Sequence, residues 1–289
     1  MRNNNPDELK SSNRGGISVI TPQYEEILRS NCKFHLQYDD ATKARYLKMV
    51  SAFLEEMKFQ GVNVAVTDEM RVTVAGWAVR MALNAIVGLH LFKHIELIKI
   101  YDAVSVDEEA RGRVQSGHFY CHIQLAWKAI QSDIKTLADR SLIIHEFAHA
   151  LDLIDREMDG DASLLMIDES GRKEWDDNFK SVFCANYILG RSSVKKVRKV
   201  WDYFGLGRWR KFNPSDMNCV KVSELFAVSS ERFFMSPHSL NQICPEIYQL
   251  LALLYRQDTL RTVPKNSSRN PLQSAMYRID QLYNWLMQN

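Results

Sequence analysis

The spacing of apolar and polar residues predicts a chain built mainly from amphipathic helices, with a few short strands. Apolar residues three and four positions apart predict helices, which span 21–28, 39–59, 68–87, 142–152, 173–189, 193–204, 221–234, 245–256 and 272–287. Alternation of apolar and polar residues predicts strands, which span 62–66, 95–101 and 120–127. We therefore expect a mainly α fold with a small β-sheet, of the α+β class.

The predicted helix over 142–152 carries the most specific chemical pattern in the chain. His145 and His149 are four residues apart, so on a helix their rings lie one turn apart on one face. Two imidazoles in this arrangement can bind one Zn²⁺, while Glu146 can act as general base towards a metal-bound water. A buried structural helix with two hydrogen-bonded histidines is the alternative. The pattern favours a zinc hydrolase.

A catalytic zinc needs a third protein ligand in addition to two histidines. Asp155 follows His149 by six residues, but on a continuing helix it would lie about 9 Å further along the axis, out of reach. Glu224 and Glu231 lie on one side of the predicted helix 221–234. Because seven residues span about 10.5 Å along a helix, only one of them can bind the ion directly. The other could accept the free N–H of a histidine ligand. Spacing does not choose between the two glutamates, and two exposed glutamates on an ordinary helix are the alternative.

The bulk composition limits the kind of protein. The formal net charge of +2 does not indicate a nucleic-acid or membrane-surface protein, so direct binding of nucleic acid is not expected. The five cysteines are scattered without a C-x-x-C pair, which predicts reduced thiols. The chain has no signal-peptide core and no apolar run of about 18 residues. We therefore expect a cytoplasmic protein without a membrane span, with export lacking an N-terminal signal as the alternative.

Several motifs, in one order along the chain, resemble the Mlc titration factor A family of zinc peptidases over roughly residues 21–261. The motifs are Thr-Asp-Glu-Met-Arg-Val-Thr-Val-Ala at 67–75, Leu-Ala-Trp at 125–127, His-Glu-Phe-Ala-His-Ala-Leu-Asp at 145–152, Glu-Leu-Phe-Ala-Val at 224–228 with Glu231 and Phe233-Phe234, and Tyr-Arg-Gln-Asp at 255–258. Several motifs in one order are more specific than a histidine pair alone.

The resemblance implies a zincin-like fold, similar to the catalytic domain of anthrax lethal factor. The zinc ligands that it implies are His145, His149 and Glu224, with Glu146 as the base. Glu231 and Asp152 are expected to support these ligands from positions that do not contact the metal. The implied activity is hydrolysis of peptide or protein substrates, of the aminopeptidase type. The family's namesake binds the repressor Mlc in the bacterial cytoplasm, so a transcriptional repressor of this kind is an implied partner.

With these motifs, the chain divides into four expected parts. Residues 1–20 are polar and rich in Gly, Asn and Ser, so we expect a flexible tail. An N-terminal lobe of helices and strands is expected over 21–130, and a zinc metallopeptidase lobe over 131–262. A polar linker and a C-terminal amphipathic helix are expected over 263–289.

The chain departs from the family at Asp216-Met217-Asn218, where family members carry a tyrosine that helps catalysis. If that tyrosine donates to an oxyanion, its absence affects the rate but not metal binding. The alternative function is therefore a regulatory binding protein with weak or vestigial peptidase activity, which sequesters a repressor or another partner. Its docking surface would be the basic segment 193–211, whose expected role is otherwise that of a solvated helix face.

The strand over 120–127 is a candidate for binding an extended substrate by main-chain pairing. His118 and His122 lie in or beside this strand and are weak candidates for oxyanion donors, with the role of bystanders favoured.

Overall fold

The computed structural model describes residues 20–85, 87–107, 110–117, 120–136, 140–155, 157 and 219–262. Within these ranges the chain forms helices and one four-stranded sheet, which confirms the α+β class. The tail over 1–19 and the helices predicted over 173–189, 193–204 and 272–287 lie outside the described residues. None of the helices in the described part of the chain is long and apolar enough to span a bilayer.

Three helices come first: α1 (Pro22–Asn31), α2 (Asp40–Glu56) and α3 (Asp68–Ala82). Each begins after a residue whose side-chain oxygen accepts a backbone N–H of the first turn, which satisfies a donor that the helix leaves unpaired. These capping residues are Thr21, Asp39 and Thr67. α1 and α2 confirm predicted helices. α3 ends before the predicted residue 87, because the chain leaves the helix through tight turns in which Ala85 and Gly88 donate three residues back.

The strands in the described part of the chain are β1 (Phe59–Val62), β2 (Leu97–Tyr101), β3 (Gly112–Gly117) and β4 (Tyr120–Ala126). They are arranged in the order β1-β2-β4-β3. β1, β2 and β4 are parallel, and β3 is antiparallel to β4. β2 and β4 confirm the strands predicted over 95–101 and 120–127.

Three expectations about the sheet need correction. The first strand lies at 59–62 rather than at 62–66, because Gly61 is inside the strand, opposite Ile100, and does not end a helix. β3 is absent from the prediction because its residues are mostly polar and exposed. β4 does not offer a free edge to a substrate, since it pairs with β2 on one side and β3 on the other.

After β4, the described residues form the helices α4 (Trp127–Thr136), α5 (Leu142–Asp152), α6 (Cys219–Met235), α7 (Pro237–Ile243), α8 (Pro245–Tyr255) and α9 (Thr259–Thr262). α5, α6 and α8 confirm the helices predicted over 142–152, 221–234 and 245–256. Short 3₁₀ helices lie at Lys33–Gln37, Gly88–Phe92 and Leu153–Asp155.

The hydrophobic core holds α5 from several sides. Phe147 of α5 packs against Phe53 of α2 and Phe92 of the second 3₁₀ helix, with ring centroids 6.1 and 5.1 Å away. α6 packs along α5, and Arg80 of α3 donates to the carbonyl of Phe234 in α6 at 2.9 Å. Truncating a buried aromatic ring of this kind costs about 3–5 kcal/mol. α5 is therefore anchored in the hydrophobic core.

Candidate metal centre

The two histidines of α5 face each other across one helical turn. Their Nε2 atoms are 3.1 Å apart. The side chain of His145 is 19% exposed and that of His149 is 8% exposed. α5 begins after Ser141, whose hydroxyl accepts the N–H of Ile144 at 3.4 Å. As expected for residues four positions apart on a helix, both rings therefore point to the same side.

Glu224 of α6 reaches the same point as the two rings. One carboxylate oxygen, Oε1, is 3.3 Å from Nε2 of His149, and the other, Oε2, is 3.5 Å from Nε2 of His145. One ligand atom from each of the three residues lies within 4.8 Å of the others. The structure thus brings together the three residues that the family resemblance implies as ligands.

The charges of the cluster suit a cation. Burial alone would raise the pKa of Glu224, but hydrogen bonds from His145 and His149 hold that pKa far below its ordinary value. Burial alone would lower the pKa of His145, yet hydrogen bonds to Glu224 and Glu231 raise it well above 6.5. The carboxylates therefore form a negative environment around the two rings, and this environment favours a positive charge at the centre.

Glu231 of α6 lies behind His145 rather than at the centre. Its Oε1 accepts from Nδ1 of His145 at 2.7 Å, and its Oε2 accepts the backbone N–H of Ser141 at 2.9 Å. Glu224 contacts the opposite nitrogen of the same ring. Residue spacing alone did not show which glutamate would contact the metal. In the structure, Glu224 lies at the Nε2 atoms of both histidines, and Glu231 lies at Nδ1 of His145.

Ser223, which sequence analysis missed, lies behind His149 in the same way. Its hydroxyl oxygen is 2.9 Å from Nδ1 of the ring. The only signal in the sequence is its place directly before Glu224, which is weak because serine is common on helices.

Asp152 is fully buried as the last residue of α5. Asp155 lies in the 3₁₀ helix after α5, where its carboxylate accepts the N–H of Glu157 at 2.9 Å.

Glu146 is buried beside this cluster, with 3% of its surface exposed. Burial raises the pKa of Glu146 to about 7, and the negative charges of Glu224 and Glu231 add to this against the opposite effect of His145. The carboxylate lies against Gly112, the first residue of β3. A Cβ at Gly112 would lie 2.7 Å from Cγ and Cδ of Glu146, so a glycine is required for this close approach.

His122 lies on the far side of the sheet from Glu146. Gly112 pairs with the buried Leu125 of β4, and side chains alternate between the two faces along a strand. His122, three residues before Leu125, therefore points to the opposite face, where its Nε2 is 3.8 Å from Oε2 of Glu96. His118, the segment 216–218 and the basic segment 193–211 lie outside the described residues.

Two histidines from one helix, a glutamate from a second helix and a buried glutamate beside the first histidine are typical of a metal-dependent hydrolase. The chain belongs to the glucose-regulated metallo-peptidase M90 family, whose family model matches residues 10–256. This match confirms the resemblance to the Mlc titration factor A family. The chain is also 27% identical over 252 residues to an uncharacterized protein of Synechocystis sp., covering 82% of this chain and 84% of that protein.

Proposed function

We propose that the protein is a zinc-dependent peptidase of zincin-like fold, with aminopeptidase-like activity on peptide or protein substrates. The observation that carries this proposal is the convergence of His145, His149 and Glu224, whose ligand atoms lie within 4.8 Å of one another beside the buried Glu146. Membership of a metallopeptidase family supports a peptide as the substrate.

The donor set fits zinc. Catalytic zinc sites combine three protein ligands, drawn from imidazole nitrogens and carboxylate oxygens, with one open position. His145 and His149 each have a hydrogen-bond partner at Nδ1, which leaves both Nε2 atoms directed at Glu224. When bound, zinc supplies Lewis acidity, which polarises a carbonyl and makes water a better nucleophile at neutral pH.

Glu146 is the proposed general base. Its carboxylate takes a proton from the attacking water and then gives a proton to the leaving amine. A group that performs both transfers works best when its pKa lies near the working pH. Burial raises the pKa of Glu146 to about 7 in the metal-free protein, and a cation bound beside it would lower that pKa and favour the carboxylate that accepts the first proton.

The proposed peptide-binding edge is that of β3, which replaces the strand over 120–127 in this role. β3 is the outer strand of the described sheet on the side of β4. Its first residue, Gly112, lies against Glu146. An extended peptide that pairs with this strand by main-chain hydrogen bonds would therefore run beside the proposed base.

Replacing Glu146 with glutamine tests the proposal. The purified Glu146→Gln protein should keep its zinc and lose peptide hydrolysis by about 10²- to 10⁴-fold, since an amide cannot take the proton. Metal analysis and cleavage of a peptide library measure the two properties. Glu55→Gln, at an exposed position of α2, is the matched control and should leave both unchanged. Unchanged hydrolysis by Glu146→Gln would contradict the proposed role of this residue.

A regulatory role is the second candidate function. The Asp-Met-Asn sequence at 216–218, where the family carries a tyrosine, favours a protein that sequesters an Mlc-type repressor and has weak peptidase activity. If binding is the function, Glu146→Gln should preserve the effect on transcription in cells. Charge reversal at Lys195, Lys196 and Arg198 in the basic segment should then abolish the effect on transcription. The opposite pattern of results would favour the peptidase.

A further inference from the structure

Ser223 contacts the side of His149 that faces away from the metal centre. Its hydroxyl oxygen is 2.9 Å from Nδ1 of the ring, and the whole residue is buried. Nε2 of the same ring faces Glu224 and His145. A neutral imidazole carries its proton on one nitrogen only, so a ring that offers Nε2 to a metal carries the proton on Nδ1. In that tautomer Nδ1–H donates to Ser223.

The two rings of the centre have unequal partners. Nδ1 of His145 faces the carboxylate of Glu231 at 2.7 Å, whereas Nδ1 of His149 faces the neutral hydroxyl of Ser223 at 2.9 Å. A hydrogen bond to an ionised group is stronger than one to a neutral group. Both partners come from α6, which also carries Glu224. One helix thus supplies a proposed ligand and the outer partner of each of the other two.

We propose that Ser223 is a positioning residue, which holds the ring of His149 in the orientation that metal binding requires and accepts Nδ1–H in the tautomer that binds a metal. The proposal rests on the proposed function, because it concerns the same metal centre. Without the hydroxyl, a buried N–H would lose its acceptor, which is unfavourable. The ring would then turn away or adopt the tautomer that carries a proton on Nε2, and either change weakens the metal site. Outer partners of metal ligands contribute to metal affinity in this way.

The test measures the Zn²⁺ dissociation constant of the purified full-length protein by competition with a chromophoric chelator. Ser223→Ala should weaken zinc binding about tenfold, at the lower end of the range for such partners because the hydroxyl is neutral. Ser223→Cys replaces the hydroxyl by a thiol of similar size, which is a much weaker acceptor, should show a similar loss, and keeps the test open if Ser223→Ala fails to fold. Ser223→Thr keeps the hydroxyl and should bind zinc nearly as tightly as the wild type.

Ser230→Ala is the matched control. Ser230 is also fully buried on α6, and its hydroxyl accepts from the Tyr255 hydroxyl at 2.8 Å. This variant therefore also loses a buried hydrogen bond on α6, but one that does not involve either histidine. It should lower the thermal stability of the metal-free protein and leave zinc affinity unchanged.

The outcomes separate the two proposals. If the wild type binds zinc and Ser223→Ala binds it equally well, the positioning role is wrong and the metal centre stands. Equal weakening by Ser223→Ala and Ser230→Ala would also overturn the positioning role, since the loss would then come from general destabilisation. If the wild type does not bind zinc, both proposals fail.

Discussion

At Gly112 the main chain of β3 comes so close to Glu146 that one added carbon would overlap the carboxylate group. The backbone of Gly112 does not lie in the left-handed region. Glycine is therefore needed here because of the close approach to Glu146 and not because of the backbone conformation. Misplacing a reacting group by about 1 Å can reduce a rate about 10²-fold. The position of the proposed base therefore depends on a residue that has no side chain of its own.

Gly112→Ala should lower kcat by about 10- to 10²-fold and leave zinc affinity unchanged, because the three atoms nearest to the new methyl group all belong to Glu146 and not to a proposed ligand. Steady-state kinetics and zinc titration of the purified variant measure both effects. Gly117→Ala, at the other end of β3, is the control. A Cβ there meets the ring of Tyr120, with Cε1 at 2.5 Å, and this exposed side chain can turn away. Equal losses of kcat in both variants would contradict the argument.

At the scale of whole elements, α6 joins the candidate metal centre to the beginning of α5. Glu231 accepts from both the ring of His145 and the backbone N–H of Ser141, the residue that caps α5. Asp133 of α4 accepts the next N–H, that of Leu142, at 3.1 Å. Two carboxylates therefore satisfy N–H groups at the start of the helix that carries both histidines, where negative charge is favourable.

Glu231→Gln should disturb both contacts, because an amide has one oxygen to accept with and its NH₂ group faces a donor. We expect zinc affinity to fall by about 10- to 10²-fold and the unfolding free energy of the metal-free protein to fall by about 1–3 kcal/mol. Chelator competition and chemical denaturation measure these effects. Glu55→Gln serves again as the exposed control, and a Glu231→Gln protein with wild-type zinc affinity would argue against this connection.

At the scale of the whole molecule, the buried His35 makes stability depend on pH. The residue is fully buried and its ring stacks on that of Tyr46 with centroids 5.5 Å apart. Its Nδ1–H donates to the carbonyl of Cys32 at 2.7 Å, while Nε2 is buried without a hydrogen-bond partner in the described part of the chain. Burial lowers the pKa of His35 below 6.5, partly offset by the bond to Cys32. At pH values between the native and the unfolded pKa, the ring is therefore neutral in the native protein and protonated in the unfolded chain.

The unfolding free energy should fall as the pH falls below about 6.5, because the unfolded state then binds a proton that the native state does not. This contribution is fully present above that pH and is lost at up to about 1.4 kcal/mol per pH unit. His35→Phe, which keeps an aromatic ring beside Tyr46, should show a smaller loss between pH 7 and pH 5. Chemical denaturation of both proteins at several pH values measures the difference.

The comparison isolates His35 because the two proteins share every other titrating group. The pKa of His94 is also lowered by burial and acts in the same direction, whereas the raised pKa of His145 acts in the opposite direction. Both effects cancel when the two curves are subtracted. Identical pH dependence in wild type and His35→Phe would show that His35 does not make this contribution.

Apolar periodicity and local hydrogen bonding suffice to predict several elements of this fold. The capped starts of α1 and α2, and the helical spacing of His145 and His149, depend on residues within a few positions of one another. Such local relationships are visible in a sequence. For the same reason the family could be identified before the structure, since its motifs are short runs of residues.

The tertiary structure decided the relations between distant parts of the chain. Glu224 and Glu231 share one face of α6. Only the packing of α6 against α5 places Glu224 at the Nε2 atoms of the two histidines and Glu231 at Nδ1 of His145. The polar strand β3 shows no apolar alternation, so its place at the sheet edge, with Gly112 against Glu146, depends on pairing with β4. Ser223 likewise acquires its contact with His149 only through that packing, because a hydrogen bond between residues so far apart leaves no periodic signal in the sequence.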